Sequence, residues 1–274
     1  MGTVTGAAIP RAAGGQGEAL AGRWTEEVRR FVGDDAGRSV LLSGGTTTVA
    51  AGADVERPGA SVLKVFVAVA AHLRAAAGLV DLDARIAVSD LPTSCNPSLL
   101  DSFEPGHLLT TAELARLSLA TSDNRIAEHL VTLVGIDAVT AAATSLGCTG
   151  TALHIGFGDD ALNARGRANV TTVADCRRVL DAVGRMPVLA PLRPALRTSL
   201  FNTRILSSLP DHVVVSHKTG TLDGVVADVG VIHAPAGDLT ACFLTDGQED
   251  PPATAAAIGR CARAAFDAWE ALAR

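Results

Sequence analysis

Strand-like runs in this chain of 274 residues cluster near its two ends, and that placement constrains the fold more than any other feature. Ser39–Ser43, Val213–Ser216, Val225–His233 and Leu239–Leu244 are rich in the β-branched and aliphatic residues that suit a strand. The last three are separated by the turn-rich segments TGTLDG and APAGD, which predicts an antiparallel meander. Between them and the first strand, Ala60 to about Leu206 is helical in character, broken at Pro92, Pro97, Pro105, Gly135 and Gly147. A single sheet must therefore take strands from both chain ends and enclose the helical middle. Amphipathic helices flank it, since apolar residues recur at three-to-four spacing in Leu20, Trp24, Val28 and Phe31 and again in Ile258, Cys261, Ala265, Phe266, Trp269 and Leu272. The expected architecture is an α/β lobe of residues 17–59 and 207–274 around an all-α lobe of 60–206, with a disordered Gly/Ala-rich tail at 1–16.

Composition narrows the class. Apolar residues make up 48% of the chain, yet no apolar run approaches the ~18 residues of a membrane span. The net charge is −6 and no Lys/Arg-rich run is present, so nucleic acid is not an expected partner. The first twenty residues have neither a basic start nor an apolar core, which leads to the expectation of a cytoplasmic monomer without membrane contact. Five cysteines, widely spaced and without a CxxC pair, read as buried free thiols, and the seven histidines show no metal-ligand spacing, so no metal is expected.

Among 23 cationic residues only Lys64 and Lys218 are lysine. Where a plain positive charge suffices, arginine is used. An ammonium differs from a guanidinium because burial can depress its pKa until it serves as a base near neutrality. Lys64 stands three residues after Ser61 in GASVLKVFVAVA, so on a helix the two side chains share a face about one turn apart. The residues around them are apolar on every side, which marks a buried central helix where a lone ammonium tends to lose its proton. Ser61 in the first turn would also face free N–H groups that favour developing negative charge. A helix cap followed by a snorkelling lysine explains the same pattern.

Two further segments carry candidate chemistry. Ser122-Asp123-Asn124 forms a polar step between helical stretches, and all three are preferred N-cap types, so capping alone accounts for it. His217-Lys218-Thr219-Gly220-Thr221 follows a strand-like run; Lys218 and Gly220 project to one side, and the missing side chain of Gly220 leaves room for a ligand beside the ammonium. An exposed strand end entering a turn is the competing explanation.

Taken together and in order, Ser61-Val62-Leu63-Lys64, Ser122-Asp123-Asn124 and Lys218-Thr219-Gly220 resemble the S-x-x-K, S-D-N and K-T-G set of class A β-lactamases and penicillin-binding proteins. The likeness extends to PGHLLTTAELARLSLATSDN, to LGCTGTALH and to the C-terminal strands and helix. It implies an α+β fold of the β-lactamase/transpeptidase type, with a five-stranded antiparallel sheet flanked by terminal helices beside an all-α lobe. It also implies a serine hydrolase without a cofactor, in which Ser61 is acylated, Lys64 activates it and Ser122 passes a proton to the leaving group. Asn124 would hold a substrate amide, and Lys218, Thr219, Gly220 and Thr221 a carboxylate on a small-molecule substrate. Backbone N–H groups of Ser61 and Thr221 would form the oxyanion hole.

One departure from the pattern matters. Class A β-lactamases place a glutamate four residues before an asparagine on the loop between the second and third motifs, to activate the deacylating water. The corresponding GFGDDALNARGRANVTT, residues 156–172, has no glutamate. Asp159, four residues before Asn163, is the nearest substitute and is one methylene shorter; Asn169 stands where the loop's usual aspartate aligns. Slow deacylation is therefore expected. A cytoplasmic biosynthetic hydrolase or acyltransferase, or a slow-turnover β-lactam-binding protein, is the alternative to a β-lactamase.

Overall fold

The computed structural model describes residues 15–94, 97–158 and 169–272; the 1–14 tail, Cys95 and the predicted base Asp159 lie outside them. Strands β1 (Arg38–Gly44), β2 (Thr47–Ala51), β7 (Val214–Leu222), β8 (Val225–Ala234) and β9 (Gly237–Thr245) form a five-stranded antiparallel sheet in the order β2-β1-β9-β8-β7. The sheet thus joins the chain ends, with β1 paired to β9 through Val40↔Phe243 and Leu42↔Ala241. Minor strands β3 (Arg57–Pro58) and β6 (Val170–Thr171) pair with each other, as do β4 (Arg85–Ala87) and β5 (Leu108–Thr110).

Side chains alternate between the sheet's two faces, and each face has its own apolar cluster. Val40, Leu42, Ala241, Phe243 and Ile232 meet α1 (Gln16–Val32) and the C-terminal helix Pro251–Glu270. There Trp24 and Trp269 lie 5.9 Å apart, and Trp24 Nε1 donates to Ala265 O at 3.1 Å. Full burial of each anchor such as Leu20 or Val28 contributes about 1.5–3 kcal/mol. On the other face Leu41, Val229, Cys242 and Leu244 join the core of the helical middle.

That core is built around α2 (Lys64–Ala76), whose residues Lys64 to His72 are all buried. Around it pack α3 (Thr111–Thr121), α4 (Asn124–Val134), α5 (Ile136–Ser145) and α6 (Val173–Arg185), and a short α7 (Arg193–Arg197) precedes β7; the C-terminal helix is α8. Cys148, Cys176, Cys242 and Cys261 are free and buried. Among the described residues no single helix is long and apolar enough to cross a membrane; only α4 and α5 together, bent by 82°, reach that length and composition.

Two details differ from the sequence reading. β7 continues to Leu222, so Lys218-Thr219-Gly220-Thr221 lies within the strand, and the turn to β8 is only Asp223–Gly224. The α-helix begins at Lys64, and Ser61 sits in a preceding 3-10 turn, Ala60–Leu63.

Candidate active site

The 3-10 turn that carries Ser61 is held at both ends. Gly59 N–H donates to Asn169 O at 2.9 Å, and β7 presses against the turn from the other side. A Cβ on Gly220 would lie 3.1 Å from both Ala60 Cβ and Gly59 O. The space read as room for a ligand is thus filled by the turn that carries Ser61, and glycine is what lets the strand approach it. Ala60, just before Ser61, has φ +44, and Ser122 has φ +60. These are the positive-φ non-glycine residues among those described, each at a cost of about 1–2 kcal/mol.

Ser122 ends α3 in that left-handed conformation, and Asp123 opens α4 as its N-cap. The capping explanation therefore holds for Asp123, whose Oδ1 accepts from Ile126 N–H at 3.2 Å while Oδ2 accepts from Ser98 Oγ and Leu99 N–H. Its neighbours turn the opposite way, toward the lysines. Lys64 Nζ donates to Ser122 O at 2.5 Å and Asn124 Oδ1 at 2.6 Å, with Ser122 Oγ at 3.5 Å. Lys218 Nζ donates to Ser122 Oγ and to Thr219 O, both at 2.9 Å. No hydrogen bond joins Lys64 to Ser61 among the described residues; catalytic contacts of this kind commonly tighten only with substrate bound.

Both lysines are fully buried, and neither forms an ion pair among the described residues. Burial lowers Lys64 to about 7 against a weaker opposing pull from Asp123. Burial, followed by repulsion from Lys64, holds Lys218 well below the ordinary lysine value, with Asp228 opposing and Arg204 adding to the depression. Among the described residues no carboxylate touches either amine, so an anion brought between them would favour their charged forms.

Behind β7 lies a network that sequence reasoning missed. Arg204 Nη1 donates to Gly220 O at 2.9 Å and Ala227 O at 2.6 Å, while Nη2 donates to the Thr221 hydroxyl at 2.5 Å. Asp228 pairs with His217 Nδ1 at 2.9 Å and accepts from Ile205 N–H at 3.0 Å. One arginine among twenty-one gives no signal in sequence, and only the fold selects Arg204.

A model of the β-lactamase enzyme family matches residues 25–269. The chain belongs to that family. It is a β-lactamase-like serine hydrolase. A β-lactamase from Sphaerobacter thermophilus is 26% identical with a TM-score of 0.79, over 91% of this chain and 98% of that one. A class A β-lactamase representative from Bacteroides cellulosilyticus is 24% identical with a TM-score of 0.80, over 92% and 99%. PBP-A is 20% identical with a TM-score of 0.77, over 90% and 96%. No curated protein matches the chain.

In this β-lactamase-family enzyme the neck of the 156–172 segment is tied in two places. Asn169 Oδ1 accepts from His154 and Ile155 N–H at 2.7 and 3.0 Å, and its amide donates to Ile155 O. Glu128, one helical turn after Asn124 on α4, accepts from Phe157 N–H at 2.6 Å and Gly158 N–H at 3.0 Å. A Cβ on Gly156 would lie 2.0 Å from the Glu128 carboxylate, so glycine there makes room for the clamp. The clamp seats the Phe157 ring 5.2 Å from Lys64 Nζ, which helps keep water off the amine. Glu128→Ala is expected to speed amide exchange at Phe157 and Gly158 at least about tenfold, since each N–H loses its acceptor, whereas Glu128→Gln keeps most of the protection. Exchange unchanged in the alanine variant would remove Glu128 from this role.

Proposed function

We propose that Ser61 attacks the carbonyl of a small carboxylate-bearing amide or ester, β-lactams included, and that water then releases the acyl group. The observation that carries this reading is the convergence of the chain's only two lysines on one serine, Lys64 at Ser122 O and Lys218 at Ser122 Oγ. Lys64, with a pKa of about 7, is half neutral at physiological pH and takes the Ser61 proton. As the Ser61 Oγ–carbon bond forms, the carbonyl electron pair moves onto oxygen, where the backbone N–H groups of Ser61 and Thr221 receive it. Collapse expels the leaving nitrogen or oxygen, which takes its proton from Ser122 Oγ, replenished from Lys64. Asn124 gives its Oδ1 to Lys64, which leaves its amide N–H groups for a substrate carbonyl. Lys218, Thr219 and Thr221 hold the carboxylate, and Gly220 keeps their strand against the nucleophile's turn. Asp159 is the proposed base for the deacylating water.

A second reading, a β-lactam-binding protein that releases its acyl group slowly, is favoured by the 156–172 segment, which has no glutamate and whose described neck is tied down by Glu128. Both readings share the same first step. Intact-protein mass spectrometry after addition of benzylpenicillin is expected to show the protein gaining one penicillin mass, located on Ser61 by peptide mapping. No adduct, or an adduct on another serine, overturns the assignment. The decay of the adduct separates the two readings.

A further inference from the structure

A serine outside the lysine cluster carries its own base. Ser216 lies on β7 two residues before Lys218, so Val214, Ser216 and Lys218 project from the same face of the sheet. Val214 stands opposite His233 on β8, and His233 stands opposite Asp238 on β9, which brings Ser216, His233 and Asp238 together on that face. Ser216 Oγ and His233 Nε2 are 2.8 Å apart, and His233 Nδ1 is 2.8 Å from Asp238 Oδ1. None of the three touches Lys64, Ser122 or Lys218 through a hydrogen bond among the described residues.

The carboxylate fixes the direction of this chain. An ionised aspartate only accepts, so Nδ1 carries the ring proton and, in the neutral imidazole, Nε2 is left as the acceptor. The Ser216 hydroxyl therefore donates to a base whose other nitrogen is held by an anion, the arrangement that activates a serine on unrelated folds. Solvent reaches it from the start of the strand: along this face exposure falls from 48% at Val214 through 7% at Ser216 to none at Lys218. The His233 and Asp238 side chains are 26% and 65% exposed. β7 is also the outer strand of the sheet, and alternate N–H groups along it face away from β8. One of the consecutive residues Ser216 and His217 is so placed, and among the described residues no N–H of β7 donates outside the sheet. That N–H is a free donor beside the hydroxyl, of the kind that receives charge developing on a carbonyl oxygen.

We propose that Ser216, with His233 as its base and Asp238 orienting the imidazole, is a second nucleophilic site that takes the acyl group of small activated esters, independently of Ser61. The narrow opening at Ser216 limits that group to about the size of an acetyl, which leaves benzylpenicillin to Ser61. As the Ser216 Oγ–carbon bond forms, the hydroxyl proton passes to His233 Nε2 and the carbonyl electron pair moves onto oxygen. Collapse breaks the ester C–O bond, the leaving group departs as its anion, and the imidazole then gives its proton to water.

The test uses the full chain carrying Ser61→Ala, so that the result does not depend on chemistry at Ser61, with p-nitrophenyl acetate as the ester. A stoichiometric burst of p-nitrophenolate is expected, with an acetyl group located on Ser216 by peptide mapping. Adding Ser216→Ala is expected to remove both. Adding His233→Ala is expected to slow acetylation of Ser216 at least about a hundredfold, and Asp238→Asn at least about tenfold. Both side chains sit at the solvent-exposed end of the β8–β9 hairpin, so these variants are expected to fold, which circular dichroism checks. No acetyl group on Ser216, or acetylation at the parental rate in His233→Ala or in Asp238→Asn, overturns the site.

Discussion

Lys64→Met is expected to slow acylation of Ser61 about a thousandfold and, at neutral pH, to make the folded protein more stable. The two effects have one cause. Lys64 is fully buried beside a second buried lysine, and its pKa falls from 10.5 to about 7. Because the folded pKa lies below the unfolded one, the unfolded chain binds more protons between those values. Stability contributed at this site therefore rises with pH across that window, and the penalty is complete below about 7. A shift of this size corresponds to about 4–5 kcal/mol. Methionine fills similar volume without the charge, but it removes the donor to Ser122 O and Asn124 Oδ1. Both acceptors belong to half-buried residues that water can reach, so the net gain near neutrality is expected to be about 2–4 kcal/mol. Ser61→Ala, by contrast, stops acylation outright and leaves the pH dependence of stability as it was. Denaturant unfolding at pH 7 and pH 10 checks the difference: the advantage of Lys64→Met must shrink at the higher pH. An advantage of equal size at both would mean that Lys64 is not a depressed amine. In the parent, acylation is expected to rise with pH through about 7, as the amine loses its proton.

Much of this arrangement could be read before any coordinates, for reasons specific to each element. The sheet's dependence on both chain ends followed from where the β-branched runs lie, and the terminal helices followed from the spacing of Trp24 and Trp269 with their apolar neighbours. β2 was missed because TTVAA is short, small and at the sheet edge, where burial writes little into sequence. TGTLDG reads as a turn throughout its length, yet Asp223–Gly224 alone reverses the chain and the threonines before it pair in register with β8. At the site, the scarcity of lysine singled out Lys64 and Lys218, but not that both reach Ser122, 58 and 96 residues away in sequence. Glu128 was within reach of a closer reading, since it stands one turn from Asn124 on the same face of α4. A single acid on a helix surface nevertheless reads as solvated until the loop neck is seen to fold onto it. Arg204 left no trace in sequence, because it acts through backbone carbonyls that only the strands bring together.

A penicillin bound to Ser61 is expected to stay there far longer than turnover in an efficient hydrolase allows, and Asp159→Asn is expected to lengthen its stay at least about tenfold further. Release needs a base to take a proton from water near the acyl carbonyl. The carboxylates that surround the lysines among the described residues are already engaged. Asp123 caps α4 and holds Ser98, Glu128 holds the N–H groups of Phe157 and Gly158, and Asp228 holds His217 and Ile205 N–H. Asp159 directly follows Gly158 in sequence, and Gly158 is pinned to α4, the helix that also presents Asn124 to Lys64. The Asp159 side chain is one methylene shorter than glutamate, and proton transfer tolerates a donor–acceptor window of only ~2.6–3.2 Å. Slow release that still depends on Asp159 is the consequence, and Asp159→Glu is expected to leave the lifetime unchanged or shorten it. The lifetime of the mass adduct in the parent, Asp159→Asn and Asp159→Glu measures this directly. Glu128→Gln serves as the control, because it preserves the clamp while removing the neighbouring negative charge. If the Asp159→Asn adduct clears as fast as the parent's, Asp159 is not the base. With the carboxylates around the lysines among the described residues committed, the deprotonated amine of Lys64 is then the next candidate to activate water, and release is expected to speed up as pH rises through about 7.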